Sequence, residues 1–344
     1  MANRALGAPR LPGPQPVAES QVISGARAQP EPLINAGSGH VSDRLFHLAM
    51  LGCGVCVLGL VGLIIYELAR GSSLSWHAFG WKFFFRSEWD PVNEQFGAWA
   101  FVYGTLVSSL VALAIGVPLA LGVAVFITEM SPRWLKGPLA FTTELLAAIP
   151  SVIYGLWAIF VLVPILRQYL EPFLGKYFGW TGLFEGAPYG IGMLAAGIIL
   201  AIMIVPIISS ITREVMTAVS QQQREAVLAL GATRWEMIRT GVLRNARAGI
   251  LGAIILGLGR ALGETMAVTM VIGNRPEIAR SLFAPGYTMA SVIANEFSEA
   301  TGNTYLSALI EIGLALFLLT IIVNILAQVL VWSVTRGMPA RSHA

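Results

Sequence analysis

The stretch that decides the fold runs from Ile250 to Asn274 and reads ILGAIILGLGRALGETMAVTMVIGN. It is apolar enough to cross a bilayer, because a hydrocarbon core of roughly 30 Å needs about 20 such residues in a helix. A rise of about 1.5 Å per residue puts Arg260 roughly 15 Å from Ile250, near the membrane midplane. A charge at that depth costs at least about 2.5 kcal/mol, so it should face protein or a water-filled path.

The spacing of Arg260 and Glu264, four residues apart, predicts that both charges share one helical face and lie close enough to pair. Gly259 and Gly263 form a GxxxG step, which lets a second helix approach closely. Arg260 and Glu264 are therefore predicted to line or gate a polar substrate path. The alternative is a buried ion pair that only fixes helix packing. Three further polar side chains are candidates for the same lining, or for hydrogen bonds to a neighbouring helix: Thr265, Thr269 and Asn274.

The composition is that of an integral membrane protein. Hydrophobic residues make up 56% and charged residues 12% of the chain, whereas soluble domains carry roughly 25% charged residues. Cys53 and Cys56 lie inside an apolar segment, where small apolar packing is favoured over redox or metal chemistry. The four histidines are scattered over tails and loops. The sequence therefore predicts no metal site, no cofactor and no catalytic cluster.

Six apolar segments predict an all-α fold with six transmembrane helices. The predicted spans are Leu45–Ala69, Trp99–Ile127, Leu139–Leu166, Gly190–Ile211, a helix beginning near Ile250, and Tyr305–Val334. Residues 1–43 are predicted to be a disordered tail, residues 44–98 a transmembrane helix followed by an aromatic-rich interfacial segment, residues 99–335 the transmembrane core, and residues 336–344 a second tail.

The distribution of Lys and Arg predicts the orientation. The two tails, the 128–138 connector and the polar 212–248 segment hold about twice as many of these residues as the opposite loops. By the positive-inside rule, the basic side faces the cytoplasm. Both termini are therefore predicted to be cytoplasmic.

The polar segment contains Ser220–Leu243, which reads SQQQREAVLALGATRWEMIRTGVL and predicts a helix–turn–helix. Gly231 can adopt the positive φ of a helix stop. Thr233 followed by Glu236 has the spacing of a capping box for the second helix. On composition alone, this is an amphipathic hairpin at the membrane surface.

The order of residues in this hairpin resembles the EAA loop of ABC importer permeases, the signature by which such a subunit docks on its ATPase. The resemblance implies a coupling role for four residues: Glu225, Ala226, Gly231 and Trp235. The sequence departs from the motif at two small positions. Val227 replaces the motif's second Ala, and Gly241 stands where a branched apolar residue is usual. Arg244 replaces the motif's proline, which leaves the second helix free to run on.

Three motifs in the same order closely resemble the PstC family of phosphate importer permeases. They are LLAAIPSVIYGLW (Leu145–Trp157), REAVLALGATRWE (Arg224–Glu236) and GLGRALGETMAVTMVIGN (Gly257–Asn274). The resemblance covers roughly residues 45–335. It implies a type I (MetI-like) permease in the bacterial inner membrane, with a five-helix core after an added N-terminal helix and with residues 212–248 as the coupling loop.

The resemblance also implies the partners: a homologous PstA-like permease, two PstB-like ATPase subunits and a periplasmic PstS-like phosphate-binding protein, with no nucleic acid. Arg260 would offer a forked donor set to an oxyanion in the path. Glu264 would hold Arg260 in the anion-free state. Because the chain has no GxxxxGK[ST] motif, ATP hydrolysis is expected from a partner.

Alternatives stay open at this point. The substrate could be another oxyanion, such as sulfate or molybdate, because selectivity is largely set by a binding protein outside this chain. A proton-coupled secondary transporter could also use an intramembrane Arg–Glu pair, although such folds usually show internal repeats. Two other charges receive structural interpretations: Glu144 as a helix N-terminal charge, and Glu311 as a solvated group near the outer end of the last span.

Overall fold

The computed structural model describes residues 39–335, with side chains from 43 to 333. Its helices are α1 (Gly39–Gly71), α2 (Ser73–Phe79), α3 (Trp99–Met130), α4 (Arg133–Ala148), α5 (Ser151–Thr181), α6 (Met193–Thr217), α7 (Gln221–Ala229), α8 (Arg234–Gly263), α9 (Met266–Thr269), α10 (Met289–Glu296) and α11 (Asn303–Thr335). Single π-helical turns interrupt three of them, at Phe126–Met130 in α3, at Ala158–Leu162 and Leu166–Leu170 in α5, and at Met237–Leu243 in α8.

Six of these helices, α1, α3, α5, α6, α8 and α11, are long and apolar enough to cross a membrane, which agrees with the six predicted spans. In the described part of the chain, pairing of extended segments is limited to two isolated bridges, so the predicted all-α class is confirmed. Helix α1 begins at Gly39, a few residues before the predicted boundary. The rest of the predicted tail over 1–43 and the tail 336–344 lie outside the described residues.

The chain forms two compact units, up to Val61 and from Gly62 onward. The first unit consists, as far as it is described, of the first part of α1, whose side chains are exposed. All packing described below lies within the second unit.

The third predicted span is wrong as a single helix. Ile149 and Pro150 are extended, with ψ of 130° and 140°, and they separate α4 from α5. A residue before proline avoids the helical region, and proline cannot donate the main-chain hydrogen bond of a helix. Helix α4 has no buried residue, and α5 continues to Thr181, beyond the predicted end of the span at Leu166.

Helix α6 is the centre of the second unit and has the most buried apolar window of the six long helices. Helix α8 packs on it through glycines. A Cβ added to Gly249 would lie 2.5 Å from Val215 Cγ1, and one added to Gly257 would lie 2.6 Å from Ile208 Cδ1. Small residues let two membrane helices approach at backbone distance. The two contacts show that α8 runs antiparallel to α6.

The interfacial segment after α2 packs its aromatic side chains on the start of α3 and on α10 and α11. The Trp89 indole stacks edge-on against Phe101, with ring centroids 4.9 Å apart. Glu296 accepts hydrogen bonds from Trp89 Nε1 at 2.8 Å and from the Tyr305 hydroxyl at 2.7 Å. These bonds hold the segment against the end of the helix bundle that is far from α7.

Candidate functional site

The most informative feature of the site is that helix α8 ends at Gly263. Glu264 is extended, with φ −70° and ψ 128°, and the short helix α9 begins at Met266. The prediction that Arg260 and Glu264 share one helical face is therefore wrong. The ion pairs found among the described residues are Arg213–Glu144 and Arg224–Glu129, so Arg260 and Glu264 are not paired in this conformation.

The local sequence explains how the helix can stop here. The Thr265 hydroxyl donates to the Gly263 carbonyl at 3.2 Å, and Glu264 Oε1 accepts from the Ala267 main-chain N–H at 3.4 Å. Such short side-chain bonds offer the backbone an alternative to continued helix. The bond from Ala267 also satisfies one of the free main-chain N–H groups at the start of α9. We call Glu264–Thr265 the break.

The break lies at mid-height of the bundle. Gly257 packs against Ile204 and Ile208, which lie on either side of the middle of α6. Arg260 is one turn further along α8, about 4.5 Å on. The position of Arg260 near the midplane therefore follows from its packing neighbours as well as from its distance along the helix from Ile250. Irregular backbone at such depth is tolerated only where it is buried in protein or lines a water-filled cavity.

Helix α5 supports the break from the side. A Cβ added to Gly155 would lie 3.2 Å from the Cα of Ala267 and would clash with the Met270 sulfur. Tyr154, the neighbour of Gly155, donates its hydroxyl hydrogen bond to the Leu146 carbonyl at 2.8 Å and lies within electrostatic range of Arg260. The 145–157 and 257–274 motifs, separate in sequence, therefore form one site.

The predicted path-lining residues after the break bond to their own segment. The Thr269 hydroxyl donates to the Thr265 carbonyl at 2.7 Å, and Asn274 Nδ2 donates to the Thr269 carbonyl at 3.0 Å. Asn274 has φ of 50°, and its buried Oδ1 has no hydrogen-bond partner within the described chain. The hydroxyl protons of both threonines are thus used locally, and a substrate contact by any of the three stays a prediction.

The helix–turn–helix over residues 220–243, which we call the coupling hairpin, has the predicted local structure. Gly231 has φ of 83°, which an L side chain rarely adopts. The Thr233 side chain accepts from the Glu236 N–H, and the Glu236 carboxylate accepts from the Thr233 N–H at 2.8 Å, so the capping box is confirmed. The second helix runs on past Arg244 to Gly263, as expected without the motif's proline.

The coupling hairpin presents an exposed surface. Glu225, Ala226 and Gly231 are exposed, and the apolar Leu230 and Trp235 are 89% and 61% exposed. Two large apolar side chains are therefore left uncovered beside charged ones on this surface.

Val227 and Gly241, two of the departures from the EAA pattern, are neighbours in space. A Cβ added to Gly241 would lie 3.4 Å from Val227 Cγ2, so the valine side chain covers the glycine. A methyl group at position 241 would be in ordinary contact with Val227, whereas a larger branched side chain would compete with it for space.

Arg224 joins three elements, a role that sequence reasoning missed. Its guanidinium donates to the main-chain carbonyls of Met216 at 2.8 Å and Val219 at 2.9 Å, at the end of α6. It also bonds Glu129 Oε1 at 3.1 Å, in the π turn of α3. Beside this cluster, Leu228 and Trp235 line a cavity of about 510 Å³ that opens on the hairpin surface.

Two interpretations of single charges are corrected. Glu144 lies near the end of α4, not at its start, and pairs with Arg213 at 2.6 Å across to α6. Glu311, expected to be solvated, is fully buried. Neither correction was visible in sequence, because both depend on which helix lies alongside.

Comparison with known proteins places the fold in a family. Residues 116–336 match the family described as "Binding-protein-dependent transport system inner membrane component". The structure is similar to that of a bacterial ABC transporter involved in the import of the acidic polysaccharide alginate, with a TM-score of 0.58 at 15% identity, over 86% of this chain and 98% of that chain. At that identity, the likeness shows a shared fold.

Two relatives found by sequence share about three times as much identity with this chain as that structure does. "Phosphate transport system permease protein PstC" of Mesorhizobium japonicum is 46% identical over 292 residues, which are 84% of this chain and 89% of that protein. The protein of the same name from Haemophilus influenzae is 45% identical, over 84% of this chain and 93% of its own length. The chain therefore belongs to the family of binding-protein-dependent transport system inner membrane components, within its group of PstC phosphate transport permeases.

Proposed function

We propose that this chain is the transmembrane permease subunit of an ATP-driven phosphate importer. The names of its relatives support phosphate as the substrate class. The observation that carries the proposal is the break in α8, which leaves Arg260 near mid-depth without an ion-pair partner among the described residues. The family supports an ABC importer over the proton-coupled secondary transporter.

Arg260 contacts the anion in this proposal. A guanidinium is always charged, and its planar set of donors matches the oxygens of a phosphate. Arg260 also lies in the last turn of α8, where the carbonyl end of the helix carries partial negative charge. That partial charge lowers the net attraction for an anion. A path must bind its cargo weakly enough to release it.

Glu264 acts as the competitor of the anion. If the turn after Gly263 becomes helical, Glu264 comes onto the face of Arg260 and pairs with it. The pair then displaces the bound oxyanion. Re-formation of the break frees Arg260 for the next one. The two states differ only in a short segment, so a modest free energy from outside suffices to switch them.

The coupling hairpin receives that free energy. Its exposed Glu225, Ala226 and Trp235 dock on a separate ATPase. Helix α8 then continues from Arg234 in the hairpin, through its π turn, to Gly263 at the break. Its 30 residues make a rod of about 45 Å, so a tilt at the docking surface reaches the break directly. The remaining assembly follows the family pattern, with a PstA-like permease, two PstB-like ATPases, a PstS-like binding protein and both termini in the cytoplasm.

Phosphate uptake tests the substrate path. The chain is expressed with its partner subunits in a bacterium that lacks its own phosphate permeases, and uptake of labelled phosphate is measured. Arg260→Gln should lower uptake at least about tenfold at an unchanged membrane level, because it removes a charge-assisted contact of about 1.5–3 kcal/mol. Arg280→Gln, in an exposed loop, is the matched control. Normal uptake by Arg260→Gln would show that Arg260 does not contact the anion.

Competition separates the oxyanions. Unlabelled phosphate should displace the label, whereas sulfate and molybdate at the same concentration should not. Equal competition by sulfate or molybdate would assign the importer to that anion instead.

Co-purification tests the docking surface. Trp235→Ala should reduce recovery of the ATPase subunits with the tagged permease, because Trp235 offers a large exposed apolar contact. Trp134→Ala is the control, since Trp134 is also an exposed tryptophan but lies on α4. Equal recovery with both variants would move the docking site away from the coupling hairpin.

A further inference from the structure

Glu311 is a buried carboxylate without a charged partner in the part of the chain that the structure describes. It lies in α11, eight residues after Asn303, and is 0% exposed. Its polar neighbour among residues 43–333 is the buried Ser75 hydroxyl, and neither carboxylate oxygen makes a well-formed hydrogen bond there. An ionised carboxylate buried in this way is costly unless a cation or several donors reach it. One neighbouring hydroxyl does not offset the cost of burying an ionised carboxylate, so the position favours a cation from outside the chain.

Glu311 lines a cavity with the joint between α1 and α2. The cavity has a volume of about 390 Å³, and its polar lining consists of Ser72, Ser73, His77 and Glu311. The joint is fixed against α11: the Ser75 N–H donates to Ser307 Oγ at 3.0 Å, and that hydroxyl donates to the Gly71 carbonyl at 2.8 Å. The cavity is thus formed by well-anchored backbone.

Aromatic rings form one wall of this cavity. Trp76 lies 5.3 Å from Trp81 and 6.4 Å from Phe84, centroid to centroid, and Trp81 lies 6.0 Å from Phe84. All three line the cavity together with Glu311. A carboxylate beside aromatic faces suits an ammonium group, because the rings attract a cation through their quadrupoles. An anionic group would be repelled.

The cavity continues into an apolar groove. A second cavity, of about 280 Å³, shares Trp81, Phe84 and Leu318 with the first. All of its other lining residues are apolar: Phe85, Trp99, Val102, Ala315, Leu319 and Ile322. Along α11, Ile322 lies about 16 Å from Glu311. A charged pocket that opens into an apolar groove of this length fits an amphiphile.

We infer that this site binds a phospholipid with a primary ammonium headgroup. On binding, the Glu311 side chain turns from Ser75 into the cavity, where its carboxylate pairs with the ammonium, which lies against Trp76. His77 and Ser73, both exposed, face the headgroup phosphate, and one acyl chain lies in the groove along Leu318 and Ile322. The site is separate from the path around Arg260, and the inference does not depend on what the permease transports.

Lipid competition tests the site. The intact transporter complex is placed in nanodiscs with equal amounts of phosphatidylethanolamine and phosphatidylglycerol of identical acyl chains, and the tightly bound lipid is identified by native mass spectrometry. The complex should retain phosphatidylethanolamine at about tenfold excess, the ratio expected for one charge-assisted contact. Glu311→Gln should remove most of that excess. Glu299→Gln, at an exposed position, should leave it unchanged.

A second variant covers the case in which Glu311→Gln does not fold. Leu318→Trp fills the groove from its partly exposed wall while Glu311 stays in place, and it too should remove the excess. Equal retention of the two lipids by the unaltered complex, or an excess that survives both variants, would overturn the inference. So would a cross-link from Glu311→Cys to a basic residue of a neighbouring subunit, since the cation would then come from protein.

Discussion

Replacing Arg224 with methionine should release the coupling hairpin from the rest of the chain. Arg224 is the residue of α7 that bonds both the end of α6 and the π turn of α3. The Arg224 side chain is 15% exposed and that of Glu129 is 8% exposed, so the pair is largely removed from water. Methionine keeps the length of the stem but removes every donor.

The magnitude follows from this burial. Breaking a buried ion pair from one side costs about 3–5 kcal/mol, because the remaining charge loses its partner. Arg224 retains some contact with solvent, so the low end applies, about 3 kcal/mol. At about 1.4 kcal/mol per factor of ten, local opening of α7 should become roughly 100-fold more frequent. The opening frequency of Arg224→Lys should lie between those of the unaltered chain and Arg224→Met, because an ammonium cannot reach all three acceptors as a planar guanidinium does.

Amide hydrogen exchange in the intact complex measures that opening. Peptides that cover residues 219–229 should exchange roughly 100-fold faster in Arg224→Met, while peptides of α11 should not change. Arg239→Met is the control, since Arg239 is exposed on the second helix of the hairpin. In a double-mutant cycle with Glu129→Gln, the coupling energy should exceed about 1 kcal/mol. Exchange that changes no more than in the control would refute the role of Arg224.

Three further substitutions test other contacts. A Cβ at Gly104 would clash with the Tyr287 carbonyl, so Gly104→Ala should reduce the free energy of unfolding by about 1–3 kcal/mol through overpacking. The thermal unfolding temperature should fall accordingly, and an unchanged temperature would contradict this. Gly231→Ala should destabilise the hairpin turn by about 1 kcal/mol because φ is 83°, and Gly231→Asn should cost less, as hydrogen exchange at the turn can show. Arg213→Met should cost under about 1 kcal/mol in the same unfolding assay, because its partner Glu144 is 58% exposed.

Features that depend on a few neighbouring residues could be predicted from sequence. The six spans follow from apolar length, and the hairpin turn follows from Gly231 and the Thr233–Glu236 capping box. The run of the second helix past Arg244 follows from the missing proline. In each case the deciding interactions lie within one or two helical turns, where sequence order and spatial order coincide.

The break after Gly263 was decided by tertiary packing. Its local sequence is compatible with a continuous helix as well as with a stop. In the structure, Ala267 and Met270 pack on Gly155 of another helix, and the short bonds of Glu264 and Thr265 then complete the turn. The predicted span Leu139–Leu166, by contrast, is divided at Pro150 for the local reason that proline ends a helix.

The partners of the charges were also decided only in three dimensions. Sequence by itself determined that Arg224, Glu144 and Glu311 lie in or near apolar helices, but not what each would meet. Glu129 is 95 positions from Arg224 in the chain and 3.1 Å from it in space. Whether a charge in a membrane protein is paired, solvated or left for a ligand depends on which helix packs beside it, because Coulomb energy and desolvation change over a few ångströms while sequence patterns record only the order of residues.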